Sequence, residues 1–500
     1  MVEAIPRRQF MRHGGAGLLA AAAGPALAQA AAGNEVKPAR AKRNGPTVLE
    51  DMGTWVAATR YEDLPLATVL KTKALLLDTF GCAIGAVDGK PVKALRSVLR
   101  DRGGSPQATV IGTGWKTSCD EAAFVNALQI RYLDFNDYAA LGYPHHPSIN
   151  LAAALAVAEL KSLSGKDLIL GLTIGYDVHI RIRDASQRTG FDMPSIEAQY
   201  ASAACAARLL GLDARGIANA MAIAASNANT LSEVRAGDEL TQAKGAAEAM
   251  AVRLGTFAAL LSRAGLQYPL TIMDGEFSYG ALVSRGLKED LLRTRTGDFQ
   301  IMKSNFKMWP SIGTSQAPIA AALALRDKGV RAENVRAVRL YLSSFGYSQQ
   351  RGFLDHAINT REHADHSAPY CVARAIIDGD VRIEDFEERR FRDPVALAFI
   401  EKIKVVEDPA LTSKGSDILG CYMEVTLADG STQRVEMPYP PGTIQNPATE
   451  RELDAKFHDL ADAVIGKANA SRARDLILAI DRAPDLGELV ALLKPLTRRL

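Results

Sequence analysis

Between about Leu64 and Leu282 one pattern recurs, with apolar or small residues at i, i+3, i+4 and i+7. It runs through LATVLKTKALLLDTFGCAIGAV, EAAFVNALQIRYLDF, INLAAALAVAELKSL, AQYASAACAARLLGL, GIANAMAIAASNA and GAAEAMAVRLGTFAALLSRAGL. This is the helical period, and it gives each segment one face to bury against the others. Those faces are rich in Ala and Gly, so the helices must approach each other very closely. Strict alternation appears only later, in VRAVRLYLSSF near residue 340, IEKIKVVED near 404, and CYMEVTLADGSTQRVEMPY, where Asp429-Gly430 marks a hairpin turn between two alternating runs. SAPYCVARAIID and the stretch from Glu450 to Leu493 return to the helical period. The predicted fold is mainly α: a large all-helical domain over 47–300, a smaller α+β domain over 301–449, and C-terminal helices over 450–500 that return to the helical domain.

The first 46 residues follow other rules. Arg7-Arg8-Gln9-Phe10-Met11 is a twin-arginine pair followed by a large apolar residue, and GGAGLLAAAAGPALA continues it to Ala26-Leu27-Ala28. This reads as a twin-arginine signal peptide over 1–28, cleaved after Ala28. The apolar run is about 15 residues where a spanning helix needs about 20, so no membrane anchor is expected after cleavage. Residues 29–46 read as a linker, and the mature chain is expected in the periplasm.

Charge limits the partners. The chain has 59 Lys+Arg and 57 Asp+Glu, and removal of 1–28 leaves 56 of each. A neutral protein lacks the field that nucleic-acid binding requires, so an anionic partner must be recognised locally. With 47% hydrophobic residues the chain can bury substantial cores. Cys82, Cys119, Cys205, Cys371 and Cys421 are too few and too scattered for a disulfide framework and read as buried, inert thiols.

The polar chemistry is crowded into LDFNDYAALGYPHHPS, Leu133 to Ser148. Asp134 is expected at the end of one helix, and Ser148 is placed to cap the next. His146 then sits just before a helix N-terminus, where free N–H groups and the positive dipole end favour an anion and a neutral imidazole. Such a ring is a usable acid or base. His363 and His366 have no further ligands at metal-site spacing, so no metal is expected there, and His179 in DVHIRI reads as structural.

LDTFGCAIGA, the D-F-x-D…H-P-S loop, the Lys that opens KGAAEAMAVRLGTFAALLSRAGL, FKMWPSIGTSQ, HSAPYCVARAIIDGD and YPPGTIQNPATERELDAKF resemble successive signatures of the MmgE/PrpD family, over roughly residues 48 to 495. The resemblance implies a helical domain with an α+β lid, an active site between them, a homodimer, and cofactor-independent chemistry on small di- or tricarboxylates. By position it assigns Asp134, His146 and Lys244 to the family's active-site Asp, His and Lys, and Lys307 to a proton-transfer Lys.

The departures are as informative. Asp192 stands where dehydratase and decarboxylase members carry a His. Ala247 and Ala249 replace a His and a Gly, Ile312-Gly313 and Gln316 replace Cys-Arg and a His, and Tyr138 replaces a short hydroxyl residue. Losing an imidazole removes an acid or base of suitable pKa, and losing an Arg removes a bidentate carboxylate clamp. Asp192 could serve as a base if burial raises its pKa, with Tyr138, Tyr143 or Lys307 supplying the opposite proton. The candidate catalytic set is therefore Asp134, His146, Lys244, Lys307, Asp192 and Tyr138. The candidate substrate-binding set is Tyr143, His145, Arg235 and Ser148, with Arg235 able to replace a lost clamp. The expected function is that of an exported lyase, a dehydratase or decarboxylase, with no cofactor and no metal. An epimerase or racemase of a small dicarboxylate and a non-catalytic carboxylate-binding protein are the alternatives.

Overall fold

Small residues set the geometry of the helical part. In the computed structural model the helix Ala243–Arg263 lies against Met193–Leu209 and Cys119–Tyr132. At the first crossing a Cβ on Gly255 would fall 2.3 Å from the Gln199 carbonyl oxygen and 2.1 Å from Ser202 Oγ. Only glycine permits that approach, as the Ala/Gly content predicts. The structure describes residues 45–139, 145–236, 239–353, 358–412 and 419–495. Residues 1–44, where a signal peptide and linker were expected, and Tyr143 lie outside the described residues.

Each expected helical segment forms a helix, including Leu66–Gly85, Leu151–Lys161 and Ala214–Ala225. Capping boxes start several: Thr47 with Glu50, Ser164 with Asp167, and Thr449 with Glu452, each pair satisfying free N–H groups reciprocally. Two short ribbons interrupt the stretch expected to be all-helical. Ala108–Thr109 pairs with Lys116–Thr117, and Tyr138–Ala139 pairs with Ser304–Asn305. Around the first ribbon, Gly103, Gly104, Gly112 and Gly114 adopt positive φ, which ends the helical period.

The helix Glu450–Ile465 lies along Leu66–Gly85, so chain end and chain start share one interior. Phe457 is fully buried there, close over Gly81. Burial of such a ring contributes about 1.5–3 kcal/mol. From the same helix Lys456 Nζ pairs with Asp78 and donates to the carbonyls of Phe135, at 2.7 Å, and Lys307, at 2.9 Å. The C-terminal segment thus fixes two loops that carry site residues.

A second core is built on a four-stranded sheet in the order Ile403–Glu407, Val335–Leu342, Cys421–Leu427, Thr432–Met437. The first pair is parallel and the others antiparallel, with the expected hairpin at Asp429-Gly430, where Gly430 has φ 85°. Along Cys421–Leu427 every second residue is buried, which is the period-two pattern meeting one covered face. The helices Gln316–Asp327 and Ala368–Asp378 pack against each other, and Gln316–Asp327 lies on the sheet. All five cysteines are buried and free, and burial pushes their thiols up.

Candidate active site

The helix Cys119–Tyr132 ends at Leu133, and Asp134 turns into the left-handed region with φ 49°. Asp tolerates this conformation better than most residues, but holding it still costs of order 1–3 kcal/mol. The turn aims a buried carboxylate inward. Lys244 Nζ donates to its Oδ2 at 3.1 Å, Lys307 Nζ to its Oδ1 at 3.0 Å and to its backbone oxygen at 2.8 Å, and Arg131 Nη1 to Oδ1 at 3.2 Å. These groups come from distant parts of the chain: Lys244 from the first turn of Ala243–Arg263, and Lys307 from just beyond the strand Ser304–Asn305.

Electrostatics follow from that geometry. Burial opposes ionisation of Asp134, but Lys244, Lys307, Arg131 and His366 hold its carboxyl well below the usual range. Lys307 is pushed down to about 8, first by burial and then by Arg131 and Lys244, with Asp134 opposing. Burial also lowers Lys244, again against the pull of Asp134. The cluster therefore holds an anion at its centre and an ammonium able to exchange its proton near neutrality.

His366 completes the cluster. Its Nδ1 contacts the Asp365 carboxylate and its Nε2 contacts Lys244 Nζ. Because Lys244 can only donate, Nε2 accepts and Nδ1–H donates to Asp365, a tautomer assigned from the network. Arg361 Nη1 donates to the other Asp365 oxygen at 3.2 Å. His363 instead lies edge-on to Phe353, 5.0 Å between ring centres, so the two histidines do not converge.

His146 is buried, with Nδ1 3.1 Å from the Asp137 carbonyl oxygen. Donation there leaves Nε2 an acceptor for which no partner is seen among the described residues. Its pKa lies well below the ordinary imidazole value because of burial and the charges of Arg131 and Lys307. Neutrality was expected from a helix dipole; the physical cause is different. Ser148 is not the expected cap: it lies inside the short turn Pro147–Asn150 and accepts from Asn136 Nδ2 at 2.9 Å. Asn136 in turn accepts from Arg131 at 2.7 Å.

The structure corrects the expectation that burial makes Asp192 a base. Burial does act upward, but Arg235 Nε at 2.7 Å and hydrogen bonds from Ser195 lower the carboxyl below its ordinary value. Asp192 also caps the helix Met193–Leu209. Arg235 reaches on to Glu248, 2.6 Å, whose other oxygen accepts from Arg131 Nε at 3.1 Å. Arg235 is thus tied to internal carboxylates. Asp192, Arg235, Glu248, Arg131 and Asp134 form one continuous network.

Tyr138 is fully buried, and its hydroxyl has no hydrogen-bond partner among the described residues. Its ring lies beside Gly313, where an added Cβ would be 3.5 Å from Cε2. His145 sits with Glu197 and His179 in a separate buried group. A cavity of about 370 Å³ opens there, lined among others by His145, Glu197, Asp192, Arg183, Arg188 and Arg235. It is the larger space, yet the Asp134 carboxylate borders only a narrow pocket of about 20 Å³ with Lys244, Arg131 and Asp365. Acid, base and cation meet at the smaller one, and the larger has the volume for a small acid.

The structure therefore brings Asp134, Lys244 and Lys307 into contact and places His146 within their field. It puts Asp192 and Arg235 at the far end of the network, and Tyr138 and His145 on other walls. Sequence reasoning missed Arg131, Glu248, Asp365 and His366. Arg131 had a signal, three residues before Asp134 on one helical face. His366 had one in the Asp-His pair preceding Ser367, which caps Ala368–Asp378.

The helical fold thus encloses a buried, multiply charged Asp–Lys site in which proton-bearing and cationic groups are in contact. The MmgE/PrpD N-terminal domain matches residues 50–291 and the MmgE/PrpD C-terminal domain residues 309–482, and the chain belongs to the MmgE/PrpD family. Among its relatives, a cis-aconitate decarboxylase-like protein of Aspergillus oryzae is 24% identical over 89% of this chain and 97% of its own length. The cis-aconitate decarboxylase of Mus musculus is 24% identical over 90% of this chain and 93% of its own. The 2-methylcitrate dehydratase of Cupriavidus necator is 28% identical, covering 81% and 87%. The relatives are lyases.

Proposed function

We propose that the protein is a lyase acting on a small di- or tricarboxylate by moving a proton at carbon next to a carboxylate. The observation that carries this reading is the convergence of Lys244, Lys307 and Arg131 on the buried Asp134 carboxylate. Removing a proton beside a carboxylate gathers negative charge on that carboxylate, and preorganised cations lower the cost of that charge. Lys307, at about 8, can give or take a proton near neutrality, and the neutral His146 ring, with Nε2 as acceptor, is a base within the same field. Asp134 holds both lysines in place. Arg183, Arg188 and Arg235 on the cavity wall give it a positive field toward a second carboxylate, although Arg235 also pairs with Asp192 and Glu248 and Arg183 with Asp184. The names of the relatives, a dehydratase and decarboxylases, support a lyase over other classes.

The twin-arginine sequence extends the reading to export into the periplasm, and the family resemblance extends it to a homodimer. A reporter fused to residues 1–28 should leave the cytoplasm and stay inside when Arg7 and Arg8 are both replaced by Lys. Sedimentation of the mature chain should give twice the chain mass.

The chemistry is tested by proton NMR of the mature protein in D2O with citrate-, succinate-, malate- and iminodisuccinate-like acids. Vinyl resonances with loss of α-proton signal are the expected lyase result. Exchange without net product would instead make the enzyme an epimerase. Binding without exchange across the panel, seen by thermal shift, would make it a carboxylate-binding protein.

A further inference from the structure

The second buried group has no role in the acid–base network. His145 follows the loop that carries Asp134, His179 lies mid-helix in Gly165–Ala185, and Glu197 lies one turn into Met193–Leu209. All three are at least nine-tenths buried. His145 Nδ1 contacts Glu197 Oε2, His179 Nε2 lies 3.6 Å from the same oxygen, and the two rings are nearly perpendicular. One ligand atom from each residue falls within 4.8 Å of the others.

We propose that His145, His179 and Glu197 bind one divalent transition-metal ion at the inner wall of the large cavity. Two imidazoles and one carboxylate are the donor set that holds zinc or ferrous iron with coordination positions left open. The need for an occupant comes from polar atoms left unsatisfied. Among the described residues Glu197 Oε1 has no hydrogen-bond partner, Oε2 lies against the His145 ring, and His179 Nε2 comes no nearer than 3.6 Å to it. Burying a carboxylate without such bonds is costly, and a cation shared with two imidazoles removes that cost. The Arg183 guanidinium, whose charge acts on Glu197, is turned to Asp184 and the Ala139 carbonyl.

The surroundings suit a ligand role. For His179 Nε2 to bind a metal, its Nδ1 must carry the proton and face an acceptor. Asn150 lies 3.3 Å from Nδ1, and its Oδ1 has no partner among the described residues. Turning that amide supplies the outer hydrogen bond that metal-bound imidazoles commonly make, in exchange for the 2.8 Å bond that Asn150 Nδ2 gives the Pro147 carbonyl. His145 and Glu197 both line the cavity, so the open positions face the space where a small acid fits. On the function proposed above, the ion would hold a substrate carboxylate; binding of the ion does not depend on that reading.

The test uses the purified mature protein, dialysed against EDTA and then titrated with Zn2+ by calorimetry and with Co2+ by visible absorption. One ion per chain is expected, with d–d bands of a nitrogen- and oxygen-ligated site and a rise in Tm. Glu197→Gln and His179→Gln should each weaken binding at least tenfold, whereas Asp365→Asn, in the other histidine-carboxylate group, should leave it unchanged. Should a variant fold poorly, the Co2+ spectrum of the other decides. No stoichiometric binding by the parent protein would overturn the proposal, as would affinity that survives both substitutions or falls only in Asp365→Asn. Stoichiometric binding without turnover would uphold the site and count only against the lyase reading.

Discussion

Asp134 and Glu197 are both buried carboxylates in the same helical body, yet one is surrounded by cations and the other by imidazoles. Asp134 has three cationic donors on its side chain, and its carboxyl is held well below the usual range. Glu197 Oε1 has no hydrogen-bond partner among the described residues, Oε2 meets imidazole rings alone, and burial pushes the carboxyl well above the usual range. The difference teaches that burial alone does not define a site. A carboxylate with every oxygen engaged is built to stay ionised and organise charge; one left unsatisfied is poised to lose its charge or to gain a ligand.

The largest expected effect on stability is at Asp134. Asp134→Asn leaves Lys244, Lys307 and Arg131 facing one another without their anion, which should cost about 3–5 kcal/mol in chemical denaturation. Stability equal to the parent protein would mean that these cations are solvated, and the contrast with Glu197 would dissolve. A control away from both carboxylates is Gly255→Val, which drives a side chain into the Gln199 carbonyl and should cost about 1–3 kcal/mol with little effect on either site.

Acid should separate the two groups next. His145, His146 and His179 have folded pKa values below the ordinary 6.5, lowered chiefly by burial, with His179 at about 3. The unfolded chain then binds more protons below pH 6.5, so stability is present above that value and lost as pH falls through it. Asp134 adds a second loss below its ordinary 3.8. Tm measured from pH 7.5 to 5 should fall, and less steeply in His179→Gln; a flat profile would contradict neutral buried rings. The smallest effect is expected at Glu197. Its raised pKa favours the protonated folded form, so it weakens the fold as pH rises above its ordinary 4.5. Glu197→Gln in metal-free protein at pH 7 should therefore be neutral or stabilising by about 1 kcal/mol, read by denaturant midpoint. A loss of several kcal/mol would show a satisfied carboxylate.

Much of the fold was legible because period and burial are local. The six Ala-rich segments became helices, and the alternating runs became the sheet with its Asp429-Gly430 turn. The site was legible only in part. Asp134, Lys244 and Lys307 could be placed through family resemblance, but His366 meets Lys244 from 122 residues away, and no spacing announces that contact. Asp192 was misread for the same reason: its burial could be guessed, whereas the Arg235 that lowers it lies 43 residues on. Glu197 and His179 sit at inward positions of helical segments, where the period says buried and stays silent about which polar groups meet.

The central claim is that the Asp134 cluster moves a proton beside a carboxylate. Its most direct test is the rate of α-proton exchange into D2O, followed by NMR on the best acid of the panel, for the parent protein and for Lys307→Met. Loss of a positioned acid–base group should slow exchange about 10²–10⁴-fold with binding retained. In the parent protein the rate should fall as pH rises past about 8, where Lys307 loses its proton. An unchanged rate in Lys307→Met, with the same pH profile, would contradict the account.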